Sequence, residues 1–395
     1  MPAIRSGPVA LLTLAIIVCA CGPASQASPG GTATVSQPTP VATATGSAPA
    51  HTTPAGTAAA STAPPTSEAS PPSQTPEPSP AGSPGATPGA HTFINPVFPN
   101  DFPDPHVLPV DDTYYAYSTN TAGQNVPVIS SQDLARWERE RDAMPALPPW
   151  AQLNFGDTWA PGLIRIDETF VLYHVSRDSE SGRQCIGVAT AGDPIGPFEH
   201  PSEEPFICQA DLGGSIDAYP FRDEDGQLYV YWKNDGNCCG IPVSLWVQRL
   251  SEDGLELVGE PEELIARDQA WEIPLIENPA MVHHEDGYYL FYSGNWWESH
   301  MYAVGYAVCE TAMGPCEKPL DEPIFEFTPQ VMGPGGQAFF TDEDGDLLMA
   351  YHAWTGPNVG YPAGIRSFRI ELVTFEGGAP VINGPTIDPQ AHDGA

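Results

Sequence analysis

A short aromatic strand ending in tyrosine recurs five times in this chain at nearly constant spacing. The five tyrosines are Tyr117 (DDTYYAYS), Tyr173 (DETFVLYH), Tyr231 (DGQLYVYW), Tyr292 (DGYYLFYS) and Tyr351 (DGDLLMAYH). By subtraction they lie 56, 58, 61 and 59 residues apart. A period of that length, with strand-turn-strand character in each unit, predicts a radial array of small antiparallel sheets around a central channel. The fold class is therefore all-β, a five-bladed β-propeller. Asp-Gly pairs between hydrophobic runs, at Asp225-Gly226, Asp286-Gly287 and Asp344-Gly345, read as hairpin turns. The acidic DEDG segments at 223–226 and 342–345 lack the ligand spacing of a calcium loop and read as the same kind of turn. One helical turn is expected at Ser131–Arg139, with Ser131 as its cap and Leu134 and Trp137 facing the core.

The propeller occupies only part of the 395 residues. Residues 1–20 carry one basic residue, Arg5, and an apolar run from Val9 to Ala20 that is too short for a comfortable bilayer span. The run ends in Val18-Cys19-Ala20-Cys21, which resembles a bacterial lipobox with Cys21 as the lipidated first mature residue. Residues 21–90 are almost wholly Pro, Ser, Thr, Ala and Gly, a composition that cannot bury enough apolar surface to offset ordering entropy. They read as a disordered tether that holds the domain at 91–395 away from the extracellular face of a bacterial cell envelope, or as a linker in a secreted protein.

Composition narrows the partners. The chain has 50 acidic against 14 basic side chains, a net charge of −36. Nucleic acids and anionic membranes call for the opposite sign, so neutral substrates fit better, and membrane attachment is expected only through the lipid. Beyond Cys19 and Cys21 there are six cysteines, Cys185, Cys208, Cys238, Cys239, Cys309 and Cys316. In an exported chain these are expected as disulfides rather than zinc ligands, because no Cys-x-x-Cys or Cys/His spacing accompanies them. Cys309 and Cys316, flanking a Gly-Pro turn, form the best local pair; six cysteines otherwise allow 15 connectivities.

Thirteen to fifteen residues before the five tyrosines stand Asp104, Trp159, Asp217, Glu277 and Gln337. Equivalent positions in a radial repeat converge on one axis, so three carboxylates at one phase would meet in one pocket. Asp104 lies between Pro103 and Pro105, which fix the backbone and block a helix. Asp217 (GGSIDAYPF) and Glu277 (WEIPLIENPAMV) lie amid apolar residues, where desolvation is expected to keep Glu277 protonated. A carboxylate and a carboxylic acid across one bond suit glycoside hydrolysis.

At this point NPVFPNDFPDP, SSQDLARW, TWAP, SIDAYPFRDEDGQLYVYW, WEIPLIE, DGYYLFYS and YHAW together resemble glycoside hydrolase family 43 across about 93–375. The resemblance implies a five-bladed propeller that hydrolyses arabinose- or xylose-containing plant glycans with inversion. It implies Asp104 as general base, Glu277 as general acid and Asp217 as the carboxylate that orients the acid. An inverting site places base and acid carboxyls roughly 6.5–9.5 Å apart. Trp159 and, more weakly, Phe102 are expected against the sugar ring, with Gln337 and Arg366 also in the substrate site. His352 matches a histidine near the axis that in many members holds a structural calcium ion, often through water; no cofactor is required. Gln337, in GPGGQAFF, stands where many relatives carry Gly-His-Asn, which weakens a metal site. The segments WEIPLIENPAMV, MGPGGQAFFTDEDG and Lys233–Gly236 look most like the arabinan-active exo branch, which implies an α-L-arabinofuranosidase. β-Xylosidase and endo-arabinanase share the same carboxylates. A catalytically silent sugar-binding propeller and a purely structural surface protein are the readings from other classes.

Overall fold

The computed structural model describes residues 91–153, 157–285 and 287–392. The expected signal segment, Cys21 and the tether lie outside them.

Two short strands come first, β1 (His91–Phe93) and β2 (Phe98–Asp101), and four-stranded or three-stranded units follow. Blade I is β3 (His106–Val110), β4 (Thr113–Tyr117), β5 (Val128–Ser131) and β6 (Glu138–Arg139). Blade II is β7 (Trp159–Ile166), β8 (Thr169–Arg177) and β9 (Gln184–Ala191). Blade III comprises β10 (Ser215–Arg222), β11 (Leu228–Asn234), β12 (Ser244–Leu250) and β13 (Leu257–Ala266). Blade IV comprises β14 (Ile276–His284), β15 (Gly287–Gly294), β16 (Ala303–Cys309) and β17 (Cys316–Glu317). Blade V has β18 (Val331–Thr341), β19 (Leu347–Thr355) and β20 (Arg366–Glu376), and takes β2 as its outer strand. Then come β21 (Ala379–Ile382), paired with β20, and β22 (Gln390–His392), paired with β1. All pairings of these strands are antiparallel, and the five-bladed propeller is as expected.

Borrowing β2 closes the ring. Phe98 pairs with Phe368 and Asp101 with Ser367, so the start of the domain is sewn to its last blade. Asn95 extends the seam: its Nδ2 donates to Ile370 O at 2.7 Å, and its Oδ1 accepts from Ile370 N at 2.9 Å.

The recurrent tyrosines have a physical reason. All five are buried, and a buried phenol needs a hydrogen-bond partner. Tyr117 donates to Pro194 O at 2.7 Å, Tyr173 to Gly254 O at 2.6 Å and Tyr231 to Ala312 O at 2.7 Å. Each acceptor belongs to the next blade, so these three tyrosines staple neighbouring sheets together. Tyr292 and Tyr351 bond instead to Glu272 and Glu371, at 2.8 and 2.9 Å. The apolar cores accordingly lie between blades: one cluster joins I and II, another II and III, a third V and I.

Three disulfides join the six described cysteines: Cys185–Cys208, Cys238–Cys239 and Cys309–Cys316, the last as expected. The helical turn expected at Ser131–Arg139 does not form. Asp133 wins the local backbone instead, its Oδ1 accepting from Ala135 N at 3.0 Å and Arg136 N at 2.8 Å, with Leu134 in the left-handed region at φ 56°. Leu134 is nevertheless buried, and Trp137 packs on the same cluster.

Candidate active site

Four blades carry the phase residue on the innermost strand beside a kink, and in blade I Asp104 stands two residues before β3. The ladder shifts register between Trp159 and Gly162, Ile216 and Tyr219, Glu277 and Ala280, and Gly335 and Ala338. At or next to each phase residue the backbone turns left-handed: Asp104 (φ 52°), Ala160 (36°), Asp217 (59°), Asn278 (51°) and Gly336 (62°). Such bulges re-aim side chains, and at an axis they turn them into the channel. Non-glycine residues held at positive φ mark sites that the surroundings over-determine. Glycine is obligatory at 336, because a Cβ there would lie 2.5 Å from His352 Nδ1 and 2.7 Å from Asp104 Oδ1.

Asp104, Asp217 and Glu277 line one cavity of about 470 Å³, together with Trp159, Lys233 and Arg366. Asp104 is held as an anion. Its Oδ2 accepts from Thr119 Oγ1 at 2.6 Å and lies 3.6 Å from Arg366 Nη1. Burial favours the neutral carboxyl, but the charge of Arg366 and the hydrogen bond from Thr119 oppose it, and the group lies well below the usual carboxylate range. Thr119 is itself fixed by Ala160 N–H, which donates to Oγ1 at 2.9 Å.

Glu277 is not in the purely apolar setting expected of it. Lys233 Nζ donates to its Oε2 at 3.0 Å, and Tyr302 OH to its Oε1 at 2.9 Å. The environment that favours a proton belongs to Asp217. Burial, then the charge of Glu277 and more weakly that of Asp104, push Asp217 well above the ordinary range, against Lys233 and the Asn278 N–H that donates to Oδ2 at 3.1 Å. Asp235, beside Lys233, is pushed up to about 6 by burial, with Lys233 opposing and Glu277 assisting. The site therefore sets one carboxylate held as an anion, Asp104, in the same cavity as another, Asp217, whose surroundings favour a proton.

Other expected contacts are redistributed. Phe102 does not reach the cavity: it is fully buried, with its ring 5.6 Å from Phe98 and 5.7 Å from Phe368, because it fills the seam between β2 and blade V. Gln337 is likewise absent from the lining of that cavity. Its Oε1 accepts from Ser293 Oγ at 2.6 Å and its Nε2 donates to Asn278 O at 2.7 Å, so both ends of the amide are used to fix the bulge after Glu277. It borders a narrow axial channel of about 20 Å³. His352 is buried behind Asp104, accepts that residue's backbone N–H on Nδ1 at 3.0 Å, and stacks on Tyr302. Burial depresses its basicity, which suits an imidazole acting as acceptor. Side chains alone do not make a calcium site here: among the described residues no three His, Cys, Asp or Glu side chains are grouped to hold a metal, calcium takes six to eight oxygens, and His352 offers only its buried Nε2, which has no hydrogen-bond partner. Trp159, half-buried, and Arg366 both line the cavity. The Arg366 guanidinium lies over Trp297 at 4.5 Å, and its Nε donates to Tyr361 OH at 3.3 Å.

Thr119, Lys233, Tyr302, Asp235, Trp297 and Tyr361 were not singled out as site residues from the sequence. Lys233 had a readable signal, since a lysine ending the uninterrupted strand LYVYWK can be buried only with a partner. Thr119 and Tyr302 had none, because both lie between strands, 15 and 25 residues along the chain from the carboxylates they bond.

The family comparison settles the lineage: residues 93–380 match glycosyl hydrolases family 43. The chain belongs to that family. This family 43 chain is 32% identical to a thermostable family-43 glycoside hydrolase of known crystal structure, with a TM-score of 0.69 over 75% of this chain and 98% of the other. It is 27% identical over 304 residues to a xylosidase/arabinosidase of Butyrivibrio fibrisolvens, covering 73% of this chain and 56% of that one. A β-D-galactofuranosidase of Aspergillus niger is 26% identical over 284 residues, 65% of this chain and 75% of its own length. As a family 43 member the chain is a glycoside hydrolase, with relatives named for xyloside, arabinoside and arabinan cleavage.

Proposed function

We propose that this hydrolase releases terminal α-L-arabinofuranose from arabinan or arabinoxylan with inversion at the anomeric carbon. The observation that carries the reading is the unequal environment of the three carboxylates in one cavity. Asp104, kept ionised, takes a proton from a water whose oxygen forms the new bond to the anomeric carbon. Glu277 gives a proton to the glycosidic oxygen as its bond to that carbon breaks. Asp217, which favours a proton, keeps one available to the pair. Lys233 then stabilises the Glu277 carboxylate that donation leaves behind. Trp159 walls the sugar, and Arg366 both fixes Asp104 and points at the ring hydroxyls.

A furanose is favoured over a xylopyranose by the arabinan-like segments and by a relative named for another furanoside, since β-D-galactofuranose and α-L-arabinofuranose share ring configuration. β-Xylosidase remains the second reading, supported by the Butyrivibrio relative, whose name covers both sugars. The VCAC segment and the Pro/Ser/Thr-rich stretch support display of the enzyme on the extracellular face of a bacterial envelope through Cys21.

Hydrolysis of 4-nitrophenyl α-L-arabinofuranoside and β-D-xylopyranoside by the wild type and Glu277→Gln tests the proposal. Faster turnover of the arabinoside, abolished in the variant, is expected. A folded wild type that binds pentosides and turns over neither would favour a sugar-binding propeller.

A further inference from the structure

The cavity has a second feature that the reaction does not use. Cys238 and Cys239, adjacent in sequence, are bonded to each other and exposed, and Cys238 lines the cavity beside Asp235 and Asn237. The loop that carries them is fixed from several sides. It follows β11, whose Lys233 holds Glu277, and its backbone is pinned by Asp235 N to Gly214 O at 3.0 Å and Ile241 N to Gly236 O at 2.9 Å. Asn234 Nδ2 ties the start of the loop to its end by donating to Pro242 O, and to the segment before β10 by donating to Leu212 O. A Cβ on Gly236 would lie 2.5 Å from Ile241 O, so the turn closes only around glycine. Arg183 Nη1 lies 2.5 Å from Cys239 Sγ and 3.5 Å from Cys238 Sγ.

We infer that the Cys238–Cys239 disulfide is a rigid apolar wall for the sugar on the leaving-group side of the scissile bond. This rests on the hydrolase reading above. The two sides of the cavity differ. Arg366 stands by the base Asp104 with Trp297 and Tyr361 against its guanidinium, whereas Asp235 stands by Lys233, which holds the acid Glu277, and Asn237 and Cys238 follow Asp235 on the same loop in the cavity lining. The acid must reach the glycosidic oxygen, so the leaving sugar lies on its side. A disulfide there offers a polarisable surface without hydrogen-bond donors, suited to the C–H face of a sugar ring, while Asn237 offers an amide to its hydroxyls. Cross-linking the two neighbours adds to the backbone bonds that already pin the turn, so little ordering is needed on binding.

The test compares KM for α-1,5-linked arabinotriose with the inhibition constant of free arabinose, which needs only the glycone site. The double variant Cys238→Ala/Cys239→Ala is expected to raise KM for the triose about fivefold while changing arabinose inhibition less than about twofold. A second arm needs no refolding. Brief reduction and iodoacetamide treatment of the native wild type reaches the exposed pair ahead of the buried Cys185 and Cys309, with peptide mass mapping to confirm it. The added groups should raise the triose KM further. Equal changes in both constants, or none in either arm, would overturn the inference. A wild type inactive on arabino- and xylo-oligosaccharides would sink the hydrolase reading instead; the disulfide's part is then read from triose binding by the same proteins.

Discussion

Lys233 is fully buried with its ammonium 3.0 Å from the Glu277 carboxylate, a cation from blade III placed against an acid from blade IV. Removing one member of a buried ion pair strands the other, at a cost of about 3–5 kcal/mol. Lys233→Met is therefore expected to lower the chemical-denaturation midpoint strongly and to depress turnover. A variant of unchanged stability would mean that Glu277 is not held by this pair.

Thr119 tunes the base. Its hydroxyl stabilises the Asp104 anion, so Thr119→Val should raise the Asp104 proton affinity and move the acid limb of kcat/KM to higher pH by about one unit. Thr119→Ser, which keeps the hydroxyl, should restore the profile. Measurement of both pH-rate profiles checks the direction.

Asp104→Asn should cost about 10²–10⁴-fold in kcat while leaving pentose binding nearly intact, because the amide keeps the shape but takes no proton from water. Near-normal turnover in a single-turnover assay would remove Asp104 from the base role.

Asp217→Asn separates activity from stability. The carboxyl is unfavourable as a buried charge, so its amide is expected to match or raise the thermal midpoint while kcat falls. Calorimetry beside kinetics reads both. Loss of stability with activity retained would contradict the assignment.

Glu371 supplies a pH signature away from the cavity. It accepts from Asn95, Tyr351 and Thr386 at the ring seam, and burial pushes its carboxyl up to about 7. A raised carboxyl contributes stability that is full below its ordinary value of 4.5 and is lost as pH rises through about 7. Glu371→Gln should flatten the decline in thermal midpoint across that window.

The ring was legible because every blade buries a strand-end tyrosine that must find a hydrogen-bond partner, three of them one blade on, which imposes a long period on the sequence. The phase residues were legible for the same reason, since bulges at equivalent positions turn them to the axis. Contacts made across the repeat were not. Phe102 adjoins the Asp104 segment in sequence, yet the borrowed strand β2 draws it into the seam. Gln337 shares the phase of the acids, yet Ser293 and the Asn278 carbonyl absorb its amide. The Ser131 segment has helix-start chemistry, and Asp133, two residues on, offers the backbone a tighter turn.

Proton NMR of the sugar first released from an arabinofuranosyl substrate tests the central claim most directly. Water activated by Asp104 opposite a proton donor at Glu277 predicts the inverted anomer before mutarotation. A retained anomer would mean that a carboxylate attacks the sugar itself, contradicting the account.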